Sequence, residues 1–224
     1  MKTTIICLPV ALERMRSMEA TGKIIHAMHI DTVRRADWTS LDRCMPARME
    51  KARRFRFERD RLLCIGAGLL LQRFAGIHDE SELSTGPYGK PFSPGGPAFS
   101  LSHSGDWCAL VTGEDDIGMD IEKTDEKNIS VASAVFSSGE RDWMEEEPVE
   151  RFYTLWTLKE SLMKAVGLGF RLPPDSFEVL PFLRNEAIDL FGKKWYAAFG
   201  GVPGYRFSVS STMPVGQPVW VEEF

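Results

Sequence analysis

The sequence predicts an α/β fold in two halves, each combining short strands with one long helix. Three observations predict it. Apolar residues recur at helical spacing in two long stretches, 59–77 and about 149–166. Short apolar or alternating runs stand on both sides of each stretch. Between them, residues 86–97 are rich in glycine and proline and read as a loop, which divides an N-terminal half, 1–90, from a C-terminal half, 91–224. A chain of 224 residues buries enough surface for one large domain or two small ones.

In chain order, residues 3–10 and 23–30 read as strands. The apolar run from Ile5 to Leu12 is stopped by Glu13 and Arg14 with no small-residue cleavage pattern behind it, so it fits a strand better than a signal peptide. Residues 39–57 are polar, basic and helical in part. The helix 59–77 carries Leu62, Leu63, Ile65, Leu69, Leu70 and Phe74 at helical spacing, with Gly76 near its end. Residues 98–102, 107–112 and 117–122 read as strands, the last two joined by the turn-like Gly113-Glu114-Asp115-Asp116. Ser137 with Glu140 makes a capping box that opens a helix. Pro148 precedes the helix 149–166, which Gly167 closes. Residues 177–182, 187–190, 194–199, 205–211 and 219–222 read as closing strands.

Composition narrows the function. The chain is 43% hydrophobic and 26% charged, as soluble globular enzymes are. A net charge of -5 argues against a general nucleic-acid binder. The charge is uneven, though: Arg48, Lys51, Arg53, Arg54, Arg56, Arg59 and Arg61 crowd one stretch. That cluster suits an anionic ligand or partner, and equally a solvated helix face with ion pairs one turn apart. The four cysteines, Cys7, Cys44, Cys64 and Cys108, show no metal-ligand spacing and read as reduced thiols in a cytoplasmic protein. No stretch reaches membrane-spanning length.

Two segments concentrate the chemistry. In Gly118-Met119-Asp120-Ile121-Glu122 the strand period of two turns Asp120 and Glu122 to one side and Ile121 to the core. In Trp156-Thr157-Leu158-Lys159-Glu160-Ser161-Leu162-Met163-Lys164 the helical period aligns Trp156, Glu160 and Lys164 on one stripe, with Lys159 about a hundred degrees away. Three carboxylates able to converge beside a lysine suit a hard divalent cation holding a phosphate. Each segment also has a plainer reading. Asp120 and Glu122 fit an exposed edge strand, and Glu160 with Lys164 fits a surface ion pair worth about 0.3–0.5 kcal/mol. Against the plainer reading, this helix is apolar on most sides, so its few charges need partners. His103, in Leu101-Ser102-His103-Ser104-Gly105, suits a phosphate or a turn. Lys90 lies between Gly89 and Pro91, which fix the local backbone. His26, His29 and His78 read as structural.

Taken in order, Gly89-Lys90-Pro91, Phe99-Ser100-Leu101-Ser102-His103-Ser104, Gly118-Met119-Asp120-Ile121-Glu122, Phe136-Ser137-Ser138-Gly139-Glu140 and Trp156-Thr157-Leu158-Lys159-Glu160-Ser161-Leu162-Met163-Lys164 resemble the 4′-phosphopantetheinyl transferase superfamily, in its long, surfactin-synthetase-activating type. The resemblance runs from about Pro46 to Phe177. It implies a monomeric α/β (α+β) pseudodimer of two similar halves, each a small, mostly antiparallel sheet packed on a long helix, with the active site between them. It implies transfer of 4′-phosphopantetheine from coenzyme A to a serine of an apo acyl or peptidyl carrier protein, releasing adenosine 3′,5′-bisphosphate, with carriers of secondary metabolism favoured. Neither nucleic acid nor membrane is a partner in this picture. Asp120, Glu122 and Glu160 would hold magnesium, with manganese as an alternative. His103 and Ser102 would sit at the phosphates, and Lys164 at the pyrophosphate. Lys90 and Pro91 would line the nucleotide site. Arg48, where lysine is common, and Lys51 would meet the 3′-phosphate. Glu160 would take the serine proton, directly or through a metal-bound water. Cys64 stands near a position where some members carry a hydroxyl residue, so that contact is not carried over. Two rivals remain. A different magnesium enzyme acting on phosphate esters would need its own phosphate loop, and neither G-x-x-x-x-G-K-[ST] nor G-x-G-x-x-G occurs. A non-catalytic member that binds coenzyme A or carrier proteins would be marked by a missing carboxylate or Lys164, and all are present.

Overall fold

The computed structural model describes residues 22–114 and 116–224, so the strand expected at 3–10 lies outside the described residues. The first half of the chain builds strand β1 (Gly22–His29), then helices α1 (Ile30–Arg35), α2 (Thr39–Cys44), α3 (Pro46–Arg54) and α4 (Glu58–Phe74). A two-stranded ribbon, β2 (Ser84–Thr85) with β3 (Pro91–Phe92), follows within the glycine- and proline-rich stretch. Next come β4 (Ala98–Ser104), β5 (Trp107–Gly113) and β6 (Ile117–Lys123). Helices α5 (Ala132–Val135), α6 (Ser138–Met144), α7 (Pro148–Val166) and α8 (Leu180–Leu183) precede the closing strands β7 (Ile188–Leu190), β8 (Lys193–Val202), β9 (Tyr205–Ser211) and β10 (Gly216–Glu222).

The strands form two four-stranded sheets, ordered β10-β1-β5-β4 and β6-β9-β8-β7. All pairings are antiparallel except β1 with β10, which run parallel. Each sheet carries one long helix. On the first, α4 buries Leu62, Leu63, Ile65, Leu70 and Leu71 against Val33 and Leu110. On the second, α7 buries Phe152, Leu155, Leu158 and Leu162 against Trp195, Val179 and Phe182. Full burial of each such side chain stabilises the fold by about 1.5–3 kcal/mol. A third core joins the sheets, with Ile25, Ala27, Ala109 and Val111 meeting Ile117, Met119, Ile121, Phe207 and Val209. The architecture is therefore mixed α/β, two sheet-and-helix units of like composition. Sheet membership crosses residue 90: β4, β5 and β10 lie after it in the chain yet complete the sheet begun by β1.

Local signals explain α7. Pro148 stands in its first turn, and Gly167 ends it in the left-handed conformation, φ 80°, that glycine adopts without strain. The capping box at Ser137 and Glu140 opens α6. One expectation fails here. Residues 177–182 form no strand; Leu180–Leu183 is a helical turn with Pro181 near its start, a place where proline's missing N–H costs nothing. The Val179 N–H that a strand would pair goes instead to Glu140 Oε1, 2.9 Å away.

Candidate active site

The two sheets meet where the side chains of β4 face the backbone edge of β6. Ser100, Ser102 and Ser104, at the strand period of two, accept the N–H groups of Met119, Ile121 and Lys123 at 3.0, 3.4 and 3.0 Å. Serine hydroxyls thus do what a neighbouring strand's carbonyls would do, because among the described residues β6 finds its backbone partner on its other side, at β9. On the helix side the fit is as close. A Cβ on Gly118 would sit 2.0 Å from the Ser161 carbonyl oxygen of α7, so only glycine lets helix and strand approach this far. Thr157 pairs with Ser208 and Ser161 with Ser210, both at 2.7 Å, and these buried hydroxyl pairs hold α7 on β9.

The seam positions the carboxylates. Asp120, 3% exposed, and Glu122 project from β6 on the same face. Ser102 Oγ donates to Asp120 Oδ1 at 2.8 Å, and Ser104 Oγ donates to Glu122 Oε2 at 2.6 Å. From α7, Lys164 Nζ reaches Asp120 Oδ1 at 2.6 Å and Ser102 Oγ at 2.9 Å. Asp120 Oδ2 is buried with no hydrogen-bond partner among the described residues. The expected stripe of α7 is present: Trp156, Glu160 and Lys164 are half-buried, while Leu155, Leu158, Leu162 and Met163 are fully packed.

Crowding shows in the titration of these groups. Burial pushes the Glu160 carboxyl up to about 7; the charges of Asp120 and Glu122 push the same way, and Lys164 opposes them. Glu122 is also raised, by burial and then by Asp120, with Ser104, Lys164 and the Trp156 indole offsetting part of it. His103, at the solvent-exposed end of β4, is held below the ordinary imidazole range by partial burial and by Lys164. Asp60 at the start of α4 and Asp120 oppose that shift, which places the first turn of α4 near the seam.

The donor chemistry suits a hard cation: carboxylate oxygens that raise one another's proton affinity, one of them a buried orphan. Among the described residues, however, no three His, Cys, Asp or Glu side chains are gathered into a group that could hold a metal as they stand. Lys164 instead pairs with Asp120 directly.

The other expected residues fall into two places. Lys90 turns its ammonium to the carbonyls of Ile117 and Ala165, at 3.0 and 3.1 Å, and so caps the C-terminal end of α7. Burial pulls its pKa down. Its stem lines a cleft of about 250 Å³ with Tyr88, Pro91, Phe99, Met163 and Lys164. Arg48 and Lys51 lie on α3 beside Cys64, whose thiol donates to the Arg48 carbonyl at 3.8 Å. Burial raises that thiol, and the two basic residues offset part of the rise. Arg48 Nε is buried without a partner among the described residues. Among the described residues no hydrogen bond or ion pair joins this basic patch to the carboxylate seam.

Lys159 is settled by the structure. It is wholly buried, 2.9 Å from the equally buried Glu140, and donates to the Pro174 and Phe177 carbonyls at 2.7 and 2.6 Å. It braces α7 against α6 and the following loop and faces away from the seam. Cys44, Cys64 and Cys108 are free thiols. His26 stacks on Phe74 and bonds Glu223, and His29 caps α1, so both have structural partners. Ser104 and Ser100 escaped the sequence reading. Their signal was the alternation Ser-x-Ser-x-Ser opposite Asp-x-Glu, but pairing the two needs the fold.

The chain is matched by known proteins. A family model described as ACPS, the 4′-phosphopantetheinyl transferase superfamily, matches residues 116–199. The 4′-phosphopantetheinyl transferase Sfp of Bacillus subtilis (strain 168) is 32% identical over 184 residues, 75% of this chain and 82% of that one. A second 4′-phosphopantetheinyl transferase of Bacillus subtilis is 36% identical over 154 residues, 62% of this chain and 68% of that one. The L-aminoadipate-semialdehyde dehydrogenase-phosphopantetheinyl transferase of Xenopus laevis is 33% identical over 177 residues, 65% of this chain and 58% of that one.

Proposed function

The chain belongs to the 4′-phosphopantetheinyl transferase superfamily, and from that premise we propose that it transfers the 4′-phosphopantetheine moiety of coenzyme A to a serine of an apo acyl or peptidyl carrier protein. In that reaction the serine oxygen bonds to the pantetheine-bearing phosphorus. The bond from that phosphorus to the bridging oxygen breaks, and adenosine 3′,5′-bisphosphate leaves with the electron pair. The serine proton goes to a base.

The observation that carries the reading is the convergence of Asp120, Glu122, Glu160 and Lys164 on one seam, with Asp120 Oδ2 left unpartnered in the interior. Phosphoryl transfer asks little covalent work of a protein and much positioning and charge balance. Asp120, Glu122 and Glu160 would hold magnesium, or manganese in its place. That ion, when bound, would neutralise pyrophosphate charge. Lys164 supplies a fixed ammonium for the leaving nucleotide's charge, held in place by Asp120 and Ser102. Glu160 serves as the base. In the metal-free chain burial and the neighbouring carboxylates raise its proton affinity, as a base requires. His103, biased toward neutral, can donate one N–H to a phosphate oxygen at the open end of β4. The cleft lined by Lys90 and Pro91 takes the nucleotide, and Arg48 with Lys51 takes its 3′-phosphate, for which the unpartnered Arg48 Nε is support. We further propose a cytoplasmic monomer acting on carriers of secondary metabolism. No described helix is long and apolar enough to cross a membrane.

Intact-mass spectrometry tests the reading. Apo fatty-acid, polyketide and peptidyl carriers are each incubated with the chain, coenzyme A and magnesium. A mass gain of one phosphopantetheine on at least one carrier, lost with chelator and with Asp120→Ala, is the expected result. No gain on any carrier, with coenzyme A still bound, would favour the non-catalytic binding member.

A further inference from the structure

We propose that Ser104 is a positioning residue that sets the Glu122 carboxylate from across the seam, so that the geometry of the cation site depends on the fit between the two sheets. The proposal rests on the functional reading above. Its basis is a register that repeats with the strand period. Each serine of β4 accepts the N–H of the residue nineteen places on and faces the side chain of the residue eighteen places on. At Ser100 the facing residue is Gly118, whose missing side chain is required by α7, so that rung only joins the sheets. At Ser102 it is Asp120, and Lys164 also bonds that hydroxyl. At Ser104 it is Glu122.

Ser104 is the rung with the fewest other tasks. Its oxygen accepts the Lys123 N–H at 3.0 Å, so its own proton is directed to Glu122 Oε2 at 2.6 Å. A hydrogen bond to a charged carboxylate is short and stronger than a neutral one. Without it Glu122 keeps burial on one side and the Asp120 charge on the other, and nothing from β4 to hold its orientation. Ser104 touches neither the proposed coenzyme cleft nor Lys164, so its effect runs through Glu122 and the Lys123 N–H beside it. Outer partners of ligating carboxylates matter in this way, and their loss weakens metal sites by about 10–100-fold.

The test measures Mn²⁺ affinity of the full chain by electron paramagnetic resonance and calorimetry, apart from turnover. Ser104→Ala is expected to weaken Mn²⁺ binding about tenfold. Ser104→Thr, which restores a hydroxyl, should return it to within about threefold. Ser100→Ala separates seam stability from carboxylate positioning: it should lower the thermal midpoint with a smaller loss of Mn²⁺ affinity than Ser104→Ala. Ser104→Cys keeps the size with a poor donor and should fall between serine and alanine, which keeps the test available if the alanine variant does not fold. Glu122→Gln distinguishes the two layers of the argument. Affinity lost in Glu122→Gln but intact in Ser104→Ala and Ser104→Cys would overturn the positioning role alone. Affinity intact in Glu122→Gln would overturn the metal reading beneath it.

Discussion

Glu160 makes the reasoning about the seam measurable without any reaction. In the metal-free chain its carboxyl is pushed from the usual 4.5 to about 7, by burial first and by Asp120 second. Moving a carboxyl that far corresponds to about 3 kcal/mol, at about 1.4 kcal/mol per pH unit. Glu160 keeps partial contact with solvent, which screens this to about 2 kcal/mol. The sign follows from proton binding. Between pH 4.5 and 7 the folded chain holds the Glu160 proton while the unfolded chain has released it, so raising the pH across that window destabilises the fold. Glu160→Gln is neutral throughout and escapes this loss. In EDTA, urea unfolding of wild type and Glu160→Gln should therefore agree near pH 4.5–5, and the variant should be about 2 kcal/mol more stable at pH 8. For a chain of this length that is roughly 4–8 °C in thermal midpoint. Taking the difference between the two proteins cancels the titrating groups that Glu160 does not touch. Adding magnesium should narrow the gap at pH 8. An equal difference at both pH values, or a wild type more stable than the variant at pH 8, would refute the crowded-carboxylate account.

Two other sites carry stability predictions. Lys159→Met leaves the buried Glu140 without its ion-pair partner and should cost about 3–5 kcal/mol by urea unfolding; a variant of near wild-type stability would mean that the pair does not carry it. Gly118→Ala drives a methyl group into the Ser161 carbonyl and should cost about 2–3 kcal/mol while also weakening Mn²⁺ binding, since α7 must lift off β6; a variant of wild-type stability and affinity would show that the contact is softer than drawn.

What could be read from the chain was whatever a short period decides. A strand's alternation placed Asp120 and Glu122 together, and the helical turn placed Trp156, Glu160 and Lys164 together, as the structure has them. The capping box at Ser137, the glycine stop at Gly167 and the strands around β5 and β6 are signals of the same local kind, and the ordered motifs pointed to the family that the relatives show. Where local cues competed, they misled: 177–182 is short and mostly apolar like a strand, but Pro181 and the Glu140 carboxylate bend it into a turn. Tertiary structure alone decided the rest. Only the fold brings β10 beside β1, with His26 bonding Glu223 across 197 positions. Only the fold lays β4 serines on the β6 edge, turns Lys90 to the end of α7, and buries Lys159 while leaving the adjacent Glu160 at the seam. The physical reason is one of range. Backbone periodicity fixes which side of an element a residue faces, but the partner on that side is set by long-range packing, and it is the partner that makes a carboxylate a brace, a base or a ligand.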